Sequence, residues 1–157
     1  MAGNPQTIEL NAGVGGEPQV KEALAASGSA INPGYLIEET TAGEVQEHST
    51  AAANAQKLFA MTDLPVGGKI SDAYAVGQTV RYGAFKTGQE VYALLAAAAT
   101  AVTQGAALES AGDGTLRVLT TDAATDDTQR DSVVAYAIEA VDNSGGGTEA
   151  RIRVRVA

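Results

Sequence analysis

Leu108-Glu109-Ser110-Ala111-Gly112-Asp113-Gly114-Thr115-Leu116-Arg117-Val118-Leu119 sets Asp113-Gly114 between two apolar runs. A tight hairpin needs residues that accept positive φ at its turn, and Asp-Gly supplies them, so two antiparallel strands joined here are expected. Downstream, Val133-Val134-Ala135-Tyr136-Ala137-Ile138-Glu139-Ala140 is apolar at both parities and reads as a strand crossing the middle of a sheet or barrel. Arg151-Ile152-Arg153-Val154-Arg155-Val156 alternates strictly, which places Ile152, Val154 and Val156 on one face of a half-buried strand and three arginines on the other.

Upstream, the turn Ile31-Asn32-Pro33-Gly34 precedes the bulky run Tyr35-Leu36-Ile37-Glu38, and Lys57-Leu58-Phe59-Ala60-Met61 predicts a further strand. Thr79 to Phe85 and Glu90 to Leu95 flank Lys86-Thr87-Gly88-Gln89, a loop of hairpin length. No repeat period is evident. Many short strands between glycine turns predict a mainly β chain, a small β-barrel or β-sandwich, with residues 31–157 as a single β-rich domain.

Residues 1–30 read differently, as an extended N-terminal arm rich in Gly, Ala, Asn and Ser. Its sparse apolar residues Ile8, Leu10, Val20 and Leu24 are candidate anchors to a neighbouring copy or a partner. Within it, Val20 to Ala26 is expected to form two helical turns ended by Gly28.

Composition narrows the function classes. Of 157 residues 45% are hydrophobic, but 31 are alanine, whereas Leu, Ile, Val and Phe together number only 32. So thin a core gains from surface buried against other subunits. The formal net charge is −9, and residues 1–50 carry seven acids against the single base Lys21. Nucleic-acid affinity comes from lysine and arginine releasing counterions, so no nucleic-acid partner is expected. Cysteine is absent, which removes disulfides, thiolate metal sites and Cys nucleophiles. No apolar stretch is long enough for a membrane helix, so no membrane partner is expected, and no secretory signal pattern opens the chain.

Chemistry is equally sparse. His48 is the sole histidine, lies in a polar stretch with no Gly-x-Ser-x-Gly elbow, and is expected to be an exposed loop residue. Asp122, Asp126, Asp127 and Asp131 miss the EF-hand spacing and read as a solvated acidic loop. Glu38-Glu39 with Glu44 or Glu47 makes no glycosidase pair, because adjacent strand residues point to opposite faces. Gly13-Val14-Gly15-Gly16 lacks the Gly-Lys-Ser/Thr ending of a phosphate loop. Arg151, Arg153 and Arg155 serve either to bind an acidic protein surface or phosphate, or to pair across strands with acids of the same sheet. Neither catalytic residues nor cofactor or metal ligands are expected, and the chain reads as a non-enzyme.

Across residues 31 to 157, the order Ile31-Asn-Pro-Gly-Tyr-Leu-Ile37, Asp72-Ala-Tyr-Ala-Val-Gly-Gln-Thr-Val80, Gly88-Gln-Glu-Val-Tyr-Ala-Leu94, Val102 to Leu116, Val133 to Ala140 and Arg151 to Val156 resembles the capsid cement, or head decoration, proteins of tailed bacteriophages. The resemblance implies a β-tulip-like or SH3-like fold with no enzymatic activity. It also implies a homotrimer on the outer surface of the virion capsid, present in the host cytoplasm before assembly, that clamps subunits of the major capsid protein. Two alternatives stand beside it: another β-rich virion component, such as a tail-tube or head-completion subunit, and a small host-surface or carbohydrate-binding module.

Overall fold

The computed structural model describes residues 4–11, 16–26, 28, 30–120 and 131–157. Eleven strands appear among them: β1 (Glu9–Asn11), β2 (Gln19–Leu24), β3 (Leu36–Glu39), β4 (Val45–Glu47), β5 (Leu58–Ala60), β6 (Thr79–Ala84), β7 (Glu90–Leu95), β8 (Ala107–Ser110), β9 (Leu116–Val118), β10 (Ala135–Ala137) and β11 (Ala150–Val156). The chain is mainly β, as its alternation predicts. It builds two sheets, in the order β2-β6-β5-β3-β4 and β1-β7-β11-β10-β8-β9.

The second sheet closes into a five-stranded barrel because β9 returns to β7, pairing in parallel at Leu95 and Leu116. Its interior holds Val91, Ala93, Leu95, Leu108, Leu116, Ala135, Ala137, Ile152, Val154 and Val156. The first sheet curls likewise, and a parallel bridge between Ala25 and Val45 joins β2 to β4. Ile37, Val45, Leu58, Ala60, Val80 and Tyr82 fill it.

The two sheets repeat one unit. Taking β2–β6 and β7–β11 in chain order, the first strand of each set pairs the fifth, the fifth the fourth, the fourth the second, the second the third, and the third meets the first in parallel. The hydrogen bonds repeat as well. Gly34 N–H donates to the Ala60 carbonyl and Gly105 N–H to that of Ala137, both at 2.8 Å. Ile31 and Tyr74 exchange backbone bonds in the first unit, as Val102 and Val141 do in the second. Ala26 donates to Val45 and Ala96 to Leu116; Met61 donates to Arg81 and Ile138 to Arg153.

Even a polar clamp recurs. The Glu38 carboxylate accepts from Gln46 Nε2 at 2.6 Å and Ser49 Oγ at 2.7 Å, while Glu109 accepts from Arg117 Nε at 2.9 Å and Thr120 Oγ1 at 3.0 Å. Each member of the second clamp lies 71 residues after its counterpart. The reading of a chain without a repeat is therefore corrected.

Three further expectations change. Residues 1–30 are not an arm apart from a domain beginning at 31, since β1 pairs β7 and all six residues of β2 pair β6. Val20 to Ala26 is extended, not helical, because that ladder supplies backbone partners that an isolated two-turn helix lacks. Lys86 to Gln89 is no hairpin loop: β6 and β7 belong to different sheets, and the segment carries the chain between them. The Ser110–Leu116 hairpin forms as expected, with positive φ at Gly112 and Gly114 instead of at Asp113.

Buried tyrosines set an alkaline limit on this fold. Burial pushes Tyr74 up to about 12, and burial together with the hydrogen bond to Glu39 pushes Tyr82 up to about 12, from 10.0. A phenol whose folded pKa is raised adds stability that is complete below its unfolded value and lost as pH climbs through the folded one. Unfolding free energy should thus fall between about pH 10 and 12. Denaturant titrations across that window would contradict this if they stayed flat.

Candidate functional site

The four sequence-derived anchors separate in the structure. Ile8 is 1% exposed, sits in the second barrel's core cluster, and its carbonyl accepts from Tyr92 N–H at 2.7 Å. It serves the chain's own core, which corrects its reading as an anchor for a partner. Leu10 is half-buried. Val20 and Leu24 point outward from β2 and are 42% and 50% exposed.

β2 is an edge strand. Its Lys21 and Ala23 lie over the first barrel's interior side, where Ala23 packs against the core, and alternation sends Val20, Glu22 and Leu24 outward. Beyond the bridge at Ala25, β2 has no strand on its second edge among the described residues. Backbone bonds between Ala25 and both Gly77 and Gln78 bring the exposed Val76 beside Leu24. Leu64 and Val66 are also exposed, so five of the six large exposed hydrophobics among the described residues belong to the first unit.

His48 overturns its expectation. It is only 3% exposed, at the junction of the two units. Its Nδ1 stands 2.8 Å from Ser110 Oγ and its Nε2 3.3 Å from the Asn54 carbonyl, with Glu38 Oε2 at 3.9 Å. An acceptor at Nε2 places the ring proton there, so Nδ1 accepts from the Ser110 hydroxyl, whose oxygen in turn accepts from Gly112 N–H at 3.1 Å. Ser, His and Glu thus meet, yet Ser110 is fully buried and the Nε2 proton is already taken. No substrate atom can reach the hydroxyl, and the group works as a staple between barrels. Burial raises the Glu38 carboxyl, but hydrogen bonds from the Gln46 amide and from the Ser49 hydroxyl and backbone outweigh it and hold the group below the usual carboxylate value.

The staple has a measurable consequence. His48→Ala takes the acceptor from the buried Ser110 hydroxyl and leaves a cavity at the junction, and we expect a loss of about 2 kcal/mol in unfolding free energy. A chemical-denaturation midpoint unchanged from wild type would show that the contact contributes nothing.

The C-terminal arginines divide as well. Arg151 donates to the carbonyls of Pro33 at 2.6 Å, Ile70 at 2.8 Å and Tyr92 at 3.3 Å, and its guanidinium lies 5.7 Å from the Tyr92 ring centroid. It lines a groove of about 640 Å³ together with Asn32, Leu94 and Glu149. Glu149 is engaged by the Tyr35 hydroxyl and by Asn32, so the groove's charged groups are committed to joining segments of the chain. Arg155 pairs with Glu90 at 2.9 Å, and Arg153 lies 3.9 Å from Glu139, the cross-strand use open to both.

No cluster of three potential metal ligands stands among the described residues, and no described helix is long and apolar enough to cross a membrane. Asp131 is exposed, while Asp122, Asp126 and Asp127 lie outside the described residues, as do Gly13, Val14 and Gly15. No protein-family profile matches the chain, and no curated protein matches it.

Proposed function

We propose that the chain is a capsid decoration protein that binds the outside of a phage head as a homotrimer and ties neighbouring major-capsid subunits together. The single observation that carries the reading is the exposed apolar set on and beside β2, Val20, Leu24 and Val76, on a double barrel whose one Ser-His-Glu meeting is sealed from solvent. A chain of that description works by contact. Residues 1–50, with seven acids against the single base Lys21, suit a basic patch on the shell, and the resemblance across residues 31 to 157 supplies the kind of partner.

Removal of residues 1–29 is a poor test, because it takes away β1, β2 and the core residue Ile8. Val20→Asp with Leu24→Asp keeps the strand and alters only exposed side chains. Mixed with expanded, undecorated heads, wild type should co-sediment with them and raise their resistance to heat, and the double variant should lose at least tenfold in affinity for them, about 1.4 kcal/mol. Failure of wild type to bind would overturn the reading. Equal binding by the variant would move the contact away from β2.

A further inference from the structure

We infer that copies of this chain associate head to tail, the β3–β4 hairpin tip of one docking on the outer face of β8–β10 of the next. The template lies inside the chain. The β8–β9 tip is seated on the first unit: Leu36 N–H donates to the Gly114 carbonyl at 2.8 Å, and Gly114 N–H to the His48 carbonyl at 3.3 Å. Gly114 is packed so closely against Tyr35 and Glu47 that an added Cβ would stand 2.8 Å from the tyrosine ring.

Both halves of that contact recur on the molecule with no partner among the described residues. The β3–β4 tip has the same length and closing bond, Thr40 N–H to Glu44 carbonyl matching Ala111 to Thr115, and Gly43 has φ +80° where Gly114 has +78°. Thr41, Ala42 and Gly43 are exposed, and nothing lies within 4 Å of a Cβ built on Gly43. On the receiving side, Ala107 and Leu119 stand where Leu36 and His48 stand, joined by the same bond, Leu119 N–H to Ala107 carbonyl. Among the described residues no hairpin is seated between them. Beside them Tyr136, paired with Ala107 as Phe59 is with Leu36, is 46% exposed where Phe59 is fully buried.

The internal template favours a second copy as the occupant, since each copy carries both the open tip and the matching seat. Of the charges nearby, Glu39 is paired with Lys21, Arg117 with Glu109 and Arg155 with Glu90, all within the chain, so they add little to the contact. The two principal bonds are main-chain ones, so the side-chain differences between the units leave them available. A contact between two different patches of one chain repeats into a ring where the rotation closes and an open chain where it does not. Such association is a property of the free protein and does not require that it binds capsids.

Cysteine substitution reads the contact directly, since the chain has none of its own. Ala42→Cys and Tyr136→Cys, both at exposed positions, are purified separately, checked for unchanged melting, and oxidised alone or mixed. The mixture should give a disulfide-linked dimer containing one of each, either alone should give at least tenfold less, and a chain carrying both should give a ladder of linked multimers. No mixed dimer, or homodimers formed as readily as mixed ones, would overturn the inference. A trimer by sedimentation without the mixed link would keep the trimer and reject this contact.

Discussion

Gly114→Ala is expected to lower unfolding free energy by about 3 kcal/mol, from a left-handed backbone forced on a non-glycine residue and from overpacking against a ring. The position has φ +78°, and the added methyl would sit 2.8 Å from Tyr35 ring carbons and 3.1 Å from Glu47 Cβ. Relief requires the hairpin tip to withdraw, which loosens its bonds to Leu36 and His48. The repeat supplies the control. Gly43→Ala meets the same backbone strain at φ +80° with open space around it, so it should cost about 1 kcal/mol. Urea unfolding at low protein concentration compares the two. Equal losses would mean that the seating of the tip is energetically idle.

Phe59→Ala should cost more, about 4 kcal/mol, as deletion of a large core side chain leaves a cavity that rigid neighbours fill poorly. Phe59 has no exposed surface and meets Phe85 edge to face at 5.7 Å and 82°. It belongs to the core cluster of the second barrel although β5 belongs to the first sheet, so it fastens one unit to the other. Its counterpart Tyr136 is exposed, and Tyr136→Ala should change stability by no more than about 0.5 kcal/mol in the monomer. A large loss at Tyr136 or a small one at Phe59 would contradict the assignment of covered and open faces.

Much of the fold is legible in short-range pattern. Strict alternation in Arg151 to Val156 predicts the side of β11 that is buried, and the glycines of Ala111 to Thr115 predict a hairpin there. Long-range pairing leaves weaker traces. The repeat shows in Ile31, Gly34, Ile37 and Glu38 against Val102, Gly105, Leu108 and Glu109, only two of which are identical, because turn geometry and a polar clamp constrain few positions. β2 reads as helix since Lys-Glu-Ala-Leu-Ala-Ala has high helix propensity, which six ladder pairs with β6 override.

The exposed apolar side chains of β2 are partly legible in the sequence. Val20 and Leu24 stand out as apolar residues in a polar segment, and they are exposed in the fold. Ile8 reads the same way in sequence yet is buried, a difference set by β7, some 80 residues along. The burial of His48 depends on Ser110 in the other unit, 62 residues away, and no local signal near His48 reports it.

Reconstruction of the virion by electron cryo-microscopy shows where the chain sits. A decoration role requires density for the double barrel on the outer surface of the head, with the exposed face of β2 turned toward the major capsid protein, at positions shared by several capsid subunits. Density for the chain in the tail, or an unadorned shell from particles that contain the protein, would contradict it.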